Sequence, residues 1–477
     1  MRIDSRTVSN MARYTCVLAV MGVSACKSSP SSINSTINGK TAADPAPPEK
    51  HHPAGEIITT ERMRDQYPVR LGIVALLGVG DSSPLLERSA DDGVKLGPIG
   101  EKWIGDHCDV VALDSRCLTP ESYPRIRKAH KLFTGLLYTY ASSVYEQPHR
   151  GSVAVWRPEM ANWELKTSSG APVKHEDGGG HWMDCGDPEW QKCWGHQAQK
   201  LAFQFHADGV VAADMPPGNT FVGDDLLKYH RFSDKVDAAS TFLSAVHQPS
   251  KFLVVPSGVG FDELVGRPTL PVERKRTEPR LKGRCWDEFD KLDDGAWAEG
   301  WVHPYWLNGT VNENEWEVQL EAADRAGRFG EVFIAALGYS TPEELEYGLA
   351  SFLLVSHHQG RAVVQPMPLV KGEPPNSGTS LQVLMREYNK YKSLFDAPLG
   401  RGLRERRYIT LQFGSVWRRT FANGDVYVNA SDTRYVTIDL GGPMVRATGE
   451  TVRTIALGPH SGMILIKPAQ NPKVASK

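Results

Sequence analysis

The chain has 477 residues, of which 40% are hydrophobic and 23% charged, with a formal net charge of −2. That balance belongs to a globular protein large enough for one big domain and a small one, and excludes a chain too polar to fold. Near-neutral charge also argues against a nucleic-acid partner, which requires a basic face.

The first 25 residues read as an export signal. Arg2, Arg6 and Arg13 form a basic start, Cys16 to Val23 a short apolar run, and Val23-Ser24-Ala25-Cys26 resembles a bacterial lipobox. The apolar run is too short for a retained membrane span. Cys26 is therefore the expected lipidation site, with an ordinary cleavable secretory signal as the alternative. Lys27 after the cysteine fits sorting to an outer membrane or cell surface rather than retention at the inner one. The chain without residues 1–25 loses three arginines and one aspartate and carries −4. Residues 26–66 are rich in Ser, Pro, Ala and Lys, lack apolar periodicity and read as a flexible tether.

From 67 to 398, short apolar runs alternate with longer amphipathic stretches, the pattern of repeated βα units. Eight strands are expected, at Arg70–Leu77, Val110–Leu113, Leu132–Tyr138, Gly209–Asp214, Lys251–Pro256, Gly295–Glu299, Glu331–Leu337 and Arg361–Gln365. The clearest helices are predicted near Glu189–Phe205, Asp234–Val246, Glu313–Ala326 and Pro342–Leu354. Asp187-Pro188-Glu189 supplies an N-cap, a first-turn proline and a first-turn acid. Eight such units point to an α/β fold, a (β/α)8 TIM barrel, with a doubly wound open sheet as the alternative. The basic run Glu273-Arg274-Lys275-Arg276, between Pro271 and Pro279, reads as a solvated loop within this region.

Residues 399–468 change texture. Strands are expected at Arg407–Phe413, Ser415–Phe421, Asp425–Asn429, Tyr435–Leu440 and Met463–Ile466, with turns at Asn423-Gly424 and Gly441-Gly442-Pro443. This is read as a small C-terminal antiparallel β-sandwich, followed by a tail over 469–477. No internal repeat is visible.

Carboxylates after the strands are candidates for chemistry. Asp81, Asp114, Glu146, Asp262 and Glu263 read as caps or solvated loop residues. Asp214 and Glu299 differ, because each terminates a strand among apolar and aromatic neighbours. By the period of two, Val210, Ala212 and Asp214 share one face, as do Gly295, Trp297 and Glu299. With those faces turned inward, both carboxylates enter the barrel mouth as an acid/base pair for glycoside cleavage. A structural ion pair is the bland alternative for either.

Aromatic residues at or after strand ends include Tyr138, Tyr140, Trp182, Trp301, Tyr305, Trp306 and Tyr339. Of these, Tyr138, Trp182, Trp301, Tyr305 and Tyr339, together with Asp184, are the expected substrate contacts, since sugar rings stack on aromatic faces and bond to nearby acids. His175, His181 and Asp184, and His357-His358, lack the spacing of a metal site, so no metal or other cofactor is expected. Gly78-Val79-Gly80-Asp81-Ser82 lacks the lysine of a phosphate-binding loop. Local disulfides Cys108–Cys117 and Cys185–Cys193 are expected for an exported chain, leaving Cys285 over.

The order of four runs is itself informative. His181-Trp182-Met183-Asp184-Cys185-Gly186-Asp187-Pro188-Glu189-Trp190 is followed by Ala207-Asp208-Gly209-Val210-Val211-Ala212-Ala213-Asp214. Then come Asp294-Gly295-Ala296-Trp297-Ala298-Glu299-Gly300-Trp301-Val302 and Leu349-Ala350-Ser351-Phe352-Leu353-Leu354-Val355. This order resembles the glycoside hydrolase family related to endo-α-1,4-polygalactosaminidases, over most of residues 68–467, as a bacterial lipoprotein member. The resemblance implies a (β/α)8 barrel with a β-domain and a catalytic Asp214/Glu299 pair. It departs from that family where Met215-Pro216-Pro217 follows Asp214 and where Ser257 follows Pro256. The expected activity is hydrolysis of a polysaccharide, with an amino-sugar exopolymer as the specific candidate. Glu299 is the expected general acid and Asp214 the nucleophile or base, with the reverse assignment left open. A monomer is expected. The rivals are a non-catalytic carbohydrate-binding lipoprotein and a metal-dependent deacetylase.

Overall fold

In a computed structural model, the residues described are 69–75, 86–88, 94–149, 151–175, 179–215, 226–230, 232–247, 252–257, 294–303, 309–357, 361–369, 381–411 and 414–468. Eight parallel strands form one sheet: β1 (Leu71–Ala75), β2 (Cys108–Leu113), β3 (Thr134–Tyr140), β4 (Gly209–Ala213), β5 (Leu253–Pro256), β6 (Gly295–Glu299), β7 (Val332–Tyr339) and β8 (Arg361–Pro368). They pair in chain order, and β8 returns to β1 through Val364 opposite Leu71. The remaining seam closes between β5 and β6 by a parallel bridge of Ser257 with Trp297 and by the Asp294 N–H donating to Val254 O at 3.1 Å. The fold is a (β/α)8 barrel, as the eight apolar runs predict.

Three of the described helices start on side-chain caps that the sequence supplies. α1 (Pro98–His107) and α2 (Ser122–Ala129) follow β1 and β2. α3 (Pro188–Gln204) is capped by Asp187, whose carboxylate accepts from the Glu189 and Trp190 N–H groups, with Pro188 in its first turn. α4 (Phe232–Val246) follows β4. α5 (Glu313–Phe329) and α6 (Pro342–Val355) open with capping boxes, Asn312 with Glu315 and Thr341 with Glu344. α5 ends at Gly330, whose φ of 73° is the left-handed cap that glycine tolerates best. α7 (Leu381–Lys390) follows β8.

Side chains separate into an inner and an outer layer as the strand period requires. Val74, Val110, Ala112, Leu136, Tyr138, Val211, Ala213, Val255, Val332, Ile334 and Val363 fill the barrel interior, with Trp297 packed against them. Val210, Ala212, Ala296, Ala298, Ala335 and Leu337 face the helices in a core that includes Trp190, Trp194, Trp301 and Trp316.

The two Asp-Gly openings staple the N-terminal end of this barrel. The Asp208 carboxylate accepts from Gly135 N on β3 at 2.8 Å and from Arg127 at 2.7 Å. That of Asp294 accepts from Val254 N on β5 at 3.0 Å. A Cβ on Gly209 would stand 2.1 Å from Leu253 O, and one on Gly295 1.8 Å from Val332 O. These positions need glycine because a neighbouring backbone occupies the space.

The C-terminal residues form one six-stranded antiparallel sheet: β9 (Arg407–Leu411), β10 (Gly414–Phe421), β11 (Gly424–Asn429), β12 (Val436–Arg446), β13 (Thr451–Leu457) and β14 (Ser461–Ile466). β13 was not expected from sequence, because most of its side chains are exposed and give no apolar run. Gly441-Gly442-Pro443 is an irregularity within β12 and not a turn between strands; Gly441 has φ of 70° and the register with β13 shifts there. One face, with Phe421, Val426, Val428 and Ile464, shares the core of α6, while the other carries Val416, Tyr427, Ile438 and Leu465. Arg419 ties the sheet to the end of α6, donating to Leu353 O and Ser356 O at 2.8 Å each.

The expected disulfides are not formed. Cys108 begins β2 and Cys117 lies beyond its other end, separated by a strand length of about 20 Å, against the ~7 Å limit for a disulfide. Cys185 is buried with its Sγ 4.0 Å from Ala141 O on the barrel side. Cys26, Cys285 and residues 1–66 lie outside the described residues.

Candidate functional site

The C-terminal ends of parallel barrel strands converge on one rim, where such barrels carry their chemistry. β4 ends at Ala213, opposite Tyr140 of β3, and Asp214 follows at φ of 57°. That left-handed residue interrupts the alternation which would otherwise carry Asp214 to the helix side with Val210 and Ala212. The Ser142 hydroxyl donates to Asp214 O, and Ser143 Oγ lies 3.4 Å from Asp214 Oδ2. Ser143 pairs with Trp182 in a short antiparallel ladder, Ser143–Tyr145 against Gly180–Trp182, that roofs this part of the rim. Burial pushes the Asp214 carboxyl from the ordinary 3.8 up to about 6, with the Ser143 hydroxyl pulling in the opposite direction.

Glu299 ends β6 opposite Ala336 of β7. Its side chain lies outside the described residues. Trp297, two residues earlier, faces the interior as the period of two predicts. The registers Ala212 with Pro256 and Ser257 with Trp297 place the ends of β4 and β6 at the same rim, with β5 between them.

A row of rings crosses this rim. Trp297 meets Tyr138 edge-on at 6.1 Å, and Tyr138 meets Tyr140 at 5.6 Å. Tyr140 stacks with His149 at 6.1 Å, His149 with Tyr145 at 3.6 Å, and Tyr145 leans on His175 at 5.6 Å. His175 stacks on Trp182 at 4.5 Å. Tyr140, His149, His175 and Trp297 are partly exposed; Tyr138, Tyr145 and Trp182 are buried. The Trp297 Nε1–H is buried and has no hydrogen-bond partner among the described residues. Gly151, at φ of 68°, lets its loop lie against Tyr138 and Tyr140, and its N–H donates to Asp114 at 2.7 Å. Asp114 thus orders the loop, in line with the cap role expected for it.

Below this roof the acids are spoken for. Asp184 accepts from Tyr229, from Lys228 at 2.7 Å and from Gly186 N at 2.9 Å. His181 bridges Glu164 and Glu146 and stacks on Trp156, whose indole donates to Glu164 at 2.8 Å. His175, His181 and Asp184 do not form a ligand set, and no group of three such residues does so among the described residues. His357 pairs with Asp324 at 2.7 Å, far along the chain in the helical layer.

Two expected substrate contacts take a different place. Trp301 is 0% exposed; its indole donates to Gly348 O on α6 at 3.2 Å and its ring meets Phe333 edge-on. Gly300, at φ of 80°, turns it to the helix side. Tyr339, 2% exposed, donates to Glu387 on α7 at 2.8 Å. Both rings fill the wall between barrel and helices and present no face to the mouth. Tyr305, Trp306, Asp81, Asp262, Glu263 and His358 lie outside the described residues. Tyr145 and His149 were not singled out by sequence reasoning, although Tyr145-Glu146-Gln147-Pro148-His149 follows β3 as an aromatic-bearing loop at the rim.

No protein-family model and no curated protein sequence matches the chain. Solved structures similar to it include a maltogenic α-amylase from Thermotoga neapolitana (12% identity, 77% of this chain and 92% of that one, TM-score 0.40). An α-amylase from Geobacillus thermoleovorans, complexed with acarbose, shares 10% identity over 85% of this chain and 100% of that one, with a TM-score of 0.44. Trehalose-6-phosphate hydrolase from Bacillus licheniformis shares 12% identity over 84% and 99%, at 0.42.

Proposed function

We propose that the protein is a glycoside hydrolase whose carboxylate pair is Asp214 and Glu299. The observation that carries this reading is the place of Asp214, half-buried just past the end of β4 on the barrel rim with Ser143 Oγ 3.4 Å from its Oδ2, where burial pushes its pKa up to about 6. A carboxyl that holds its proton in mildly acidic solution is what protonation of a glycosidic oxygen requires. Of the rings beside it, Tyr140, His149 and Trp297 are partly exposed and offer apolar surface to a sugar ring.

The raised pKa favours Asp214 as the general acid, reversing the assignment expected from sequence. Asp214 would protonate the leaving oxygen, and Glu299, ionised, would act as nucleophile or as base toward water. Separations of about 5–5.5 Å and about 6.5–9.5 Å between the carboxyls distinguish retention from inversion. The resemblance to endo-α-1,4-polygalactosaminidases adds an amino-sugar exopolymer as the substrate. The lipobox-like Val23–Cys26 adds anchoring at a bacterial surface through an acylated Cys26.

The deciding experiment incubates the protein with a partially N-acetylated galactosamine polymer, chitosan and a bacterial exopolysaccharide panel, measuring new reducing ends. The expected result is release by the native protein and loss in Asp214→Asn and Glu299→Gln, with binding retained. Binding without release by the native protein overturns catalysis and leaves a carbohydrate-binding protein.

A further inference from the structure

We infer that Gln319 of α5 is a positioning residue for the carboxylate at the end of β6, an inference that rests on the hydrolase reading above. The chain leaves β6 through two left-handed residues, Gly300 at φ of 80° and Val302 at φ of 45°. Glycine adopts that conformation freely. Valine does not, because its branched Cβ crowds the backbone, and such a residue persists only where its surroundings hold it.

Gln319 does the holding. It is 2% exposed, and its side-chain amide spans Trp301: Oε1 accepts from Val302 N at 2.7 Å and Nε2 donates to Gly300 O at 3.3 Å. Both backbone groups are buried, so each would be orphaned without it. One side chain must supply a donor and an acceptor, which glutamine does and neither ionised glutamate nor methionine can. The segment is pinned on its other sides as well. Trp301 N donates to Ala336 O on β7 at 2.9 Å, its indole to Gly348 O on α6, and Val311 N to Val302 O at 3.1 Å. Glu299 precedes Gly300 by one peptide, so the clamp fixes the backbone that immediately follows it. Strain retained at Val302, three residues beyond the proposed catalytic carboxylate of Glu299, is a device for pre-organising it.

The test uses Gln319→Met, Gln319→Glu, Val302→Gly and the double variant Gln319→Met/Val302→Gly in the full chain. On the galactosamine polymer, Gln319→Met is expected to lower kcat at least tenfold with KM within twofold, and Gln319→Glu to fall between it and the native protein. Val302→Gly, which takes the left-handed conformation without strain, is expected to restore most of the kcat lost in Gln319→Met. A lowered Tm with unchanged kcat in Gln319→Met, or no rescue by Val302→Gly, overturns the positioning role. Should the native protein release nothing from any polymer, the hydrolase reading fails on its own and Tm decides the clamp. Val302→Gly is then expected to raise Tm more in the Gln319→Met background than in the native one; equal changes in both overturn it.

Discussion

Ser143 Oγ stands 3.4 Å from Asp214 Oδ2, and among the described residues this hydroxyl is the polar side chain that moderates the burial of the proposed acid. Removing it leaves burial unopposed. If Asp214 is the proton donor, kcat/KM falls as pH rises through about 6, because the acid loses its proton. Ser143→Ala is expected to move that alkaline limb upward by about a few tenths of a pH unit, the bond being long. A pH–rate profile of the two proteins checks this, and a limb that stays in place or moves down assigns it to another group.

The same carboxyl makes a stability prediction. Its folded pKa of about 6 lies above the unfolded value of 3.8, so ionisation penalises the folded state. The penalty is absent below the unfolded value, grows between the two, and is complete above the folded one. Asp214→Asn removes it with a residue that also tolerates the left-handed conformation at φ of 57°. The variant is expected to gain up to about 3 kcal/mol at pH 8 and nothing at pH 3.5. Denaturant titrations at the two pH values measure the difference.

Much of the barrel was legible in the chain because its strands are buried on both faces and read as continuous apolar runs. The strand ends at Glu299 and Pro256 were read from sequence to the residue. What alternation could not carry was the residue after a strand. Asp214 and Gly300 each adopt a positive φ that breaks the period of two, and a single such dihedral leaves no trace in hydrophobicity. For that reason Trp301 was expected in the mouth and stands in the wall. The Asp-Gly runs drew attention as openings of catalytic strands, but their own side chains serve the opposite end of the barrel. The ring partners Tyr145 and His149 sit in a loop whose path is set by Gly151 and Asp114, contacts that no local pattern encodes.

Those Asp-Gly staples are testable. Gly295→Ala would force a Cβ to within 1.8 Å of Val332 O at a φ of 141°, and Gly209→Ala to within 2.1 Å of Leu253 O. Backbone carbonyls cannot swing aside as a side-chain end can. Each variant is expected to lose about 4 kcal/mol or more, or to yield no folded protein. Asp294→Ala, which strips the Val254 N–H of its acceptor, is expected to cost about 1–3 kcal/mol. Thermal melts rank the three, and a Gly295→Ala protein as stable as native would refute the close backbone approach.

The cysteines separate by environment, which gives a chemical readout of the fold. Burial raises the Cys108 and Cys185 thiols well above the ordinary range, and the negative charge of a neighbouring aspartate, Asp109 and Asp184 respectively, raises each further. Cys193 is only partly buried on α3, and Arg157 opposes its smaller upward shift. Since the thiolate is the reacting species, native protein at pH 8 is expected to alkylate at Cys193 well before Cys108 or Cys185. Unfolding in denaturant should make all three equally reactive. Peptide mapping by mass spectrometry after a short iodoacetamide pulse reads the order; early labelling of Cys108 would mean that β2 does not sit in the barrel wall, and recovery of a Cys185–Cys193 bridge would require α3 to start differently.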